Sequence, residues 1–126
     1  LTNKDGACAL DEIALTIWAT VVSRPSADVA IIDAGSKTLC GDVYPPAAGL
    51  AGYGATAIQP GGIIERMNEE HGIVRLSGGF APAIGTKIAI YPNHVCTAVN
   101  LADELIVARD GIVIDCWNVA ARGKLQ

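Results

Sequence analysis

Apolar and polar residues alternate with a period of two along much of this chain. From Ile13 to Val22, in IALTIWATVV, Ile13, Leu15, Ile17 and Val21 fall on one face, while Thr16, Trp18 and Thr20 fall on the other. The run is rich in β-branched residues and is predicted as a strand that Arg24, Pro25 and Ser26 end. Val29 to Asp33 reads as a short buried strand, after which Gly35 and Ser36 turn the chain. Residues 45 to 62 hold Pro45, Pro46 and Pro60 and five glycines, which predicts a long loop of the kind that often carries function. Ile63 to Leu76 is predicted as two strands broken near Glu69 to Gly72, and Thr86 to Tyr91 as a strand that Pro92 closes. Near the end, LIVA from Leu105 and IVIDCW from Ile112 flank Arg109-Asp110-Gly111. Asp-Gly between two apolar alternating runs favours a tight hairpin, because both residues tolerate positive φ. No long helical period competes with this pattern, so the expected fold is mainly antiparallel β, closed as a barrel or sandwich.

Composition narrows the picture. The 126 residues fit one domain spanning 1–126, and at 51% hydrophobic and 17% charged they can form a core rather than a disordered chain. A net charge of −4 repels a phosphate backbone, so nucleic acid is excluded as a partner. There is no basic stripe for an anionic membrane, no apolar run near the roughly 20 residues a span needs, and no basic leader. The chain opens at Leu1 with its only methionine at Met67, as a piece of a longer protein would. Cys8, Cys40, Cys96 and Cys116 form no C-x-x-C pair or disulfide framework, which suits a reducing cytoplasm.

Candidate chemistry centres on Pro92-Asn93-His94-Val95-Cys96. In extended backbone, residues i and i+2 point to one side, roughly 7 Å apart at Cα. An imidazole and a thiolate placed so can converge on one ion, and nitrogen with sulfur suits zinc better than magnesium or calcium. Two protein ligands leave coordination positions open. The spacing fits equally a buried, small Cys96 beside a hydrogen-bonded loop His94. His71, in Glu69-Glu70-His71-Gly72, reads either as a solvated turn or as an active-site base or a group near the metal. Gly49-x-x-Gly52-x-Gly54 lacks the lysine and helix of a phosphate loop, and Asp33-Ala34-Gly35-Ser36-Lys37 lacks a nucleophile-elbow context. Cys8, Cys40 and Cys116 have no nearby histidine and are expected in the core or at its edge.

Longer stretches bring in a family. AIIDAGSKTL at 30–39, EEHGIV at 69–74, YPNHVCTAVNL at 91–101 and ARDGIVIDCWNVAARGK at 108–124 occur in that order, with ALTIWATVVSRP at 14–25 before them. Together they resemble the C-terminal domain of the D-serine dehydratase and D-threonine aldolase family. The resemblance implies an alanine-racemase-like (fold type III) enzyme. Its N-terminal α/β barrel, absent from this chain, binds pyridoxal phosphate (PLP), and its C-terminal β-domain supplies a divalent metal site. His94 and Cys96 occupy the two ligand positions of that site. Cysteine at the second position resembles the zinc-dependent dehydratases; aldolases with aspartate there use manganese.

The implied function is the metal-binding domain of a PLP-dependent lyase for D-3-hydroxy amino acids, leaning to D-serine dehydratase, with His71 as a candidate catalytic residue. PLP belongs to the full-length enzyme only, and the isolated chain is expected to be inactive. The alternatives are a D-threonine aldolase domain and a non-catalytic metal-binding β-module. The implied partners are the protein's own N-terminal barrel and, in the full-length form, a second subunit of a homodimer.

Overall fold

The computed structural model describes residues 9, 12–43, 52–58 and 61–124. Its centre is a closed barrel of six strands, every neighbouring pair antiparallel. The strands are β1 (Ile17–Ser26), β2 (Val29–Ile32), β3 (Gly54–Thr56), β4 (Gly62–Met67), β5 (Gly72–Leu76) and β6 (Lys87–Pro92). Around the barrel the order is β1-β2-β5-β4-β3-β6, and β6 returns to β1 through pairs such as Ile17 with Ile90. Closure leaves no unpaired strand edge in the wall.

Alternation decides which side chains fill the barrel. Ala19 and Val21 of β1, Ala30 and Ile32 of β2, Ile64 of β4, Val74 and Leu76 of β5, and Ile88 and Ile90 of β6 are buried. Their neighbours Trp18 and Val22 on β1 and Ile63 on β4 stand exposed on the outer wall. Leu39, from a short helix α1 (Ser36–Leu39), plugs the same core. Among the described residues Thr56 is the one buried polar side chain, and its hydroxyl is satisfied by the Gly62 N–H at 2.8 Å, which ties β3 to β4.

Two expectations shift. β1 does not stop before Arg24-Pro25-Ser26 but runs through them, with register irregularities between Val21 and Ser23 and between Ser23 and Ser26. A bulge gives Pro25, which has no N–H to donate, a place in the strand. The predicted loop at 45–62 contains β3 and the start of β4; residues 44–51, 59 and 60 lie outside the described residues.

After β6 come α2 (Val95–Leu101), β7 (Glu104–Arg109) and β8 (Ile112–Asn118). β7 and β8 form a separate two-stranded sheet, turned by Asp110 (φ 52) and Gly111 (φ 76). Both turn residues have positive φ, as the Asp-Gly pair predicts for a type I′ hairpin. No helix among the described residues is long and apolar enough to cross a membrane.

Candidate metal centre at one end of the barrel

Strand register brings several connections to one end of the barrel. Ile32 pairs with Gly72, Met67 with Gly72, Gly54 with Pro92, and Ile17 with Ile90. The segment after β2, the β4–β5 turn, the entry to β3 and the segment after β6 therefore share that end. They carry α1, His71, Gly52 and the His94-Val95-Cys96 segment respectively.

α1 acts as a strut between two of them. The Ser36 and Lys37 N–H groups donate to the carbonyls of Asn68 (2.9 Å) and Glu69 (3.1 Å) in the β4–β5 turn. Only glycine permits this approach at position 35, since a Cβ there would lie 2.3 Å from the Asn68 carbonyl oxygen. At the other end of α1 stands Cys40, buried, with φ 62 and ψ 174. That conformation is rare for any residue but glycine, and such strain persists only where its surroundings impose it. The turn at Cys40 sends the chain to Asp42.

Asp42 meets α2. Its Oδ2 lies 2.6 Å from His94 Nδ1 and 3.0 Å from Thr97 Oγ1. Hydrogen bonds from His94 first, then Thr97, hold the Asp42 carboxyl below its ordinary pKa, and the Cys40 thiol adds a smaller contribution. The Thr97 hydroxyl also lies 3.1 Å from Cys40 Sγ. Asn93 braces the approach to the site, its side-chain amide donating to the backbone carbonyls of Asp42 (3.1 Å) and Gly52 (2.8 Å).

His94 and Cys96 are both exposed. A buried Cys96, one alternative left open by the spacing, is therefore excluded. The hydrogen-bonded His94 is present, and its partner is a carboxylate. The extended geometry expected for the pair is corrected: His94 is extended (φ −136, ψ 106), but helix α2 begins at Val95, so Cys96 sits in a helical turn. Asn93-His94 leaves the wall after Pro92, and Val95-Cys96-Thr97-Ala98 winds to bury Ala98.

His71 is exposed in the β4–β5 turn, where Asn68 Oδ1 accepts the backbone N–H groups of Glu70 (3.0 Å) and His71 (2.7 Å). His71 lines an open depression of about 540 Å3 with Val22, Ile31, Arg66, Met67 and Ile73 on the outer wall. No hydrogen bond joins that ring to the Asp42–His94 cluster among the described residues. Cys40 is in the core as expected, whereas Cys116 is exposed on β8.

The closed six-stranded antiparallel barrel with its appended hairpin shares its fold with part of an alanine-racemase-like protein. An alanine-racemase-like protein from Idiomarina loihiensis superimposes with a TM-score of 0.78 over 93% of this chain and 34% of its own, at 24% identity, a likeness of fold alone. The chain belongs to the family described as "Putative serine dehydratase domain", whose model matches residues 14–108. It is 40% identical over 120 residues to a D-threonine aldolase of Arthrobacter, covering 94% of this chain but only 29% of the aldolase. It is also 40% identical over 124 residues to an uncharacterized protein of Mycobacterium tuberculosis, covering 94% of this chain and 91% of that protein. Among solved structures, the metal-free form of a D-threo-3-hydroxyaspartate dehydratase variant superimposes with a TM-score of 0.78 at 29% identity, covering 93% of this chain and 35% of that one. In that variant a cysteine is replaced by alanine. A second variant of the enzyme replaces a histidine two positions earlier, and superimposes with a TM-score of 0.75 at 27% identity, covering 93% of this chain and 34% of that one.

Proposed function

We propose that this chain is the metal-binding β-domain of a PLP-dependent lyase for D-3-hydroxy amino acids, with His94 and Cys96 as its ligands to a divalent metal. One observation carries the reading: Asp42 occupies Nδ1 of an exposed His94, which leaves Nε2 as the free donor two residues from an exposed thiol. A histidine and a cysteine at the same spacing were the residues altered in the dehydratase variants, one of them metal-free. Nitrogen with sulfur favours zinc, and manganese is the less suited alternative. Among the described residues no group of three or more His, Cys, Asp or Glu could hold a metal. Two protein ligands leave positions for water and substrate, as a catalytic centre needs and a structural zinc does not.

The donor set fits a metal; it does not fit PLP. Lys37, Lys87 and Lys124 are all exposed, and Lys37 is paired with Glu70. None of these three lysines is enclosed as a Schiff-base site would require, and on this reading the cofactor would be held by an N-terminal barrel outside this chain. When bound, PLP supplies an electron sink for the substrate α-carbon and the metal a Lewis acid for its β-hydroxyl. This chain's own residues bind and orient: His94 and Cys96 hold the metal, and Asp42, Thr97 and Asn93 hold His94. On this reading His71 is not a metal ligand, and a catalytic role for it would be exercised from the outer depression that it lines.

Cysteine at the second ligand position inclines the reading to a dehydratase, with D-serine as the substrate; the 3-hydroxyaspartate dehydratase variants support the dehydratase part of that reading. The aldolase alternative rests on the higher identity to the Arthrobacter enzyme. A free-standing metal-binding module is the second reading, favoured by the mycobacterial relative of nearly the same length. The three free thiols among the described residues suit the cytoplasm. Exposed Ile106, Ile112, Ile114 and Trp117 on the hairpin support a domain that works against a barrel and a partner subunit.

Zinc titration of the 126-residue chain beside His94→Ala and Cys96→Ala tests the site. Wild type should take up one zinc, and each variant should bind it more weakly. Affinity should fall at acid pH, because Cys96 must lose its proton to bind. Equal uptake by all three proteins would remove these residues from the site.

A further inference from the structure

We propose that Asp42 is a positioning residue that fixes the His94 imidazole with its proton on Nδ1 and its lone pair on Nε2, and that Thr97 holds the Asp42 carboxylate in that pose. The inference rests on the reading of His94 as a metal ligand and adds the group that makes His94 a competent one.

The argument starts from donors and acceptors. An ionised carboxylate only accepts hydrogen bonds, so at 2.6 Å from Asp42 Oδ2 the His94 Nδ1 must carry the hydrogen. A neutral imidazole has one N–H; with Nδ1 protonated, Nε2 is bare and can donate to a metal. Free histidine prefers the opposite tautomer, with the hydrogen on Nε2, which blocks the nitrogen that faces away from Asp42. Asp42 therefore selects the minority form.

The same oxygen takes a second donor. The Thr97 hydroxyl has one hydrogen and three acceptors within reach: Asp42 Oδ2 at 3.0 Å, Cys40 Sγ at 3.1 Å and the His94 carbonyl at 3.1 Å. The carboxylate is the strongest of the three, since hydrogen bonds to an ionised acceptor are roughly twice as strong as neutral ones. Thr97 lies one helical turn beyond His94, so α2 presents both donors to one carboxylate. The strained backbone at Cys40, two residues before Asp42, is the local cost of aiming that carboxylate at α2. A carboxylate behind a metal-bound histidine is a recurrent device, and its removal typically weakens metal binding by about 10- to 100-fold.

The test joins 15N NMR of the histidine rings in the zinc-free chain, at alkaline pH, to zinc titration. Wild type should show the Nδ1–H tautomer at His94. Asp42→Ala should shift it to Nε2–H and weaken zinc binding by about 10-fold or more. Asp42→Asn keeps an acceptor oxygen without the charge, so it should retain the tautomer and lose less affinity. Thr97→Val should fall between wild type and Asp42→Ala, and Thr97→Ser should restore wild-type behaviour. If Asp42→Ala leaves the tautomer unchanged, the proposal is overturned, whatever the zinc result. If the tautomer shifts but His94→Ala and Cys96→Ala bind zinc like wild type, Asp42 still orients His94 and the metal reading is what fails.

Discussion

The barrel and the β7–β8 hairpin are built from the same kind of sequence and end in opposite environments. In the barrel, Ile32, Ile64, Val74, Ile88 and Ile90 are at most 1% exposed. In the hairpin no residue is buried, and Ile112, Ile114 and Trp117 are 68%, 52% and 56% exposed. Both regions alternate apolar and polar residues or run apolar throughout, and both pair their strands antiparallel. What separates them is closure. Six strands wrap one face inward, while two strands have no inside, and an isolated hairpin is marginal on its own. Apolar alternation thus specifies pairing; burial depends on what else the chain, or another chain, brings to the face.

The largest effect should come from the barrel. Ile64→Ala removes a fully buried side chain and should cost about 2–5 kcal/mol in chemical denaturation, against about 0.5 kcal/mol or less for Trp117→Ala. Equal losses at the two sites would erase the contrast and imply that the hairpin is covered in solution. Gly35→Ala comes next. Its new Cβ meets the Asn68 carbonyl, so about 1–3 kcal/mol should be lost as α1 is pushed from the β4–β5 turn. Zinc affinity should drop with it if α1 is the strut that aims Asp42.

Gly111→Ala places a Cβ at φ 76 and should cost about 1 kcal/mol. The loss should appear as faster amide exchange within 104–118, with the barrel amides unchanged; exchange rising in both would mean that the two units unfold together. The smallest effect is electrostatic. The Ser26 hydroxyl, then the Arg75 guanidinium, holds the Asp28 carboxyl below its ordinary pKa. A carboxylate with a lowered folded pKa contributes stability above its unfolded pKa, and that stability is lost as pH falls through the folded value. The melting temperature of Asp28→Asn should therefore fall less steeply than that of wild type on acidification, with the two converging at the acid end. Parallel curves would show that the Ser26–Asp28–Arg75 contacts contribute nothing.

The sequence by itself determined what depends on near neighbours. Period-two alternation marks β1 and β6, because a strand's side chains switch faces at every residue, and short apolar runs mark β2, β4 and β5. Asp110-Gly111 marks the hairpin, because positive φ is a property of the residues at the turn. The same alternation misplaced the end of β1, since a bulge lets Pro25 stay in a strand, and it hid β3 inside a glycine-rich stretch whose pairing with β6 is non-local. Both helices were missed. α1 and α2 span 4 and 7 residues, too short for a 3.6-residue period to declare itself, and they are held by docking rather than by propensity.

At the site, His94 and Cys96 stood out because imidazole and thiol are scarce and close in sequence. Thr97 was within reach, three residues after His94, but nothing local distinguishes its hydroxyl from a surface one. Asp42 carried no local signal, since it lies 52 positions from His94. Only the tertiary structure joined them. Barrel closure sets the ends of β2 and β6 at the same end, on either side of β1, and the strained turn at Cys40 aims a carboxylate across the gap, a proximity that no pattern along the chain encodes.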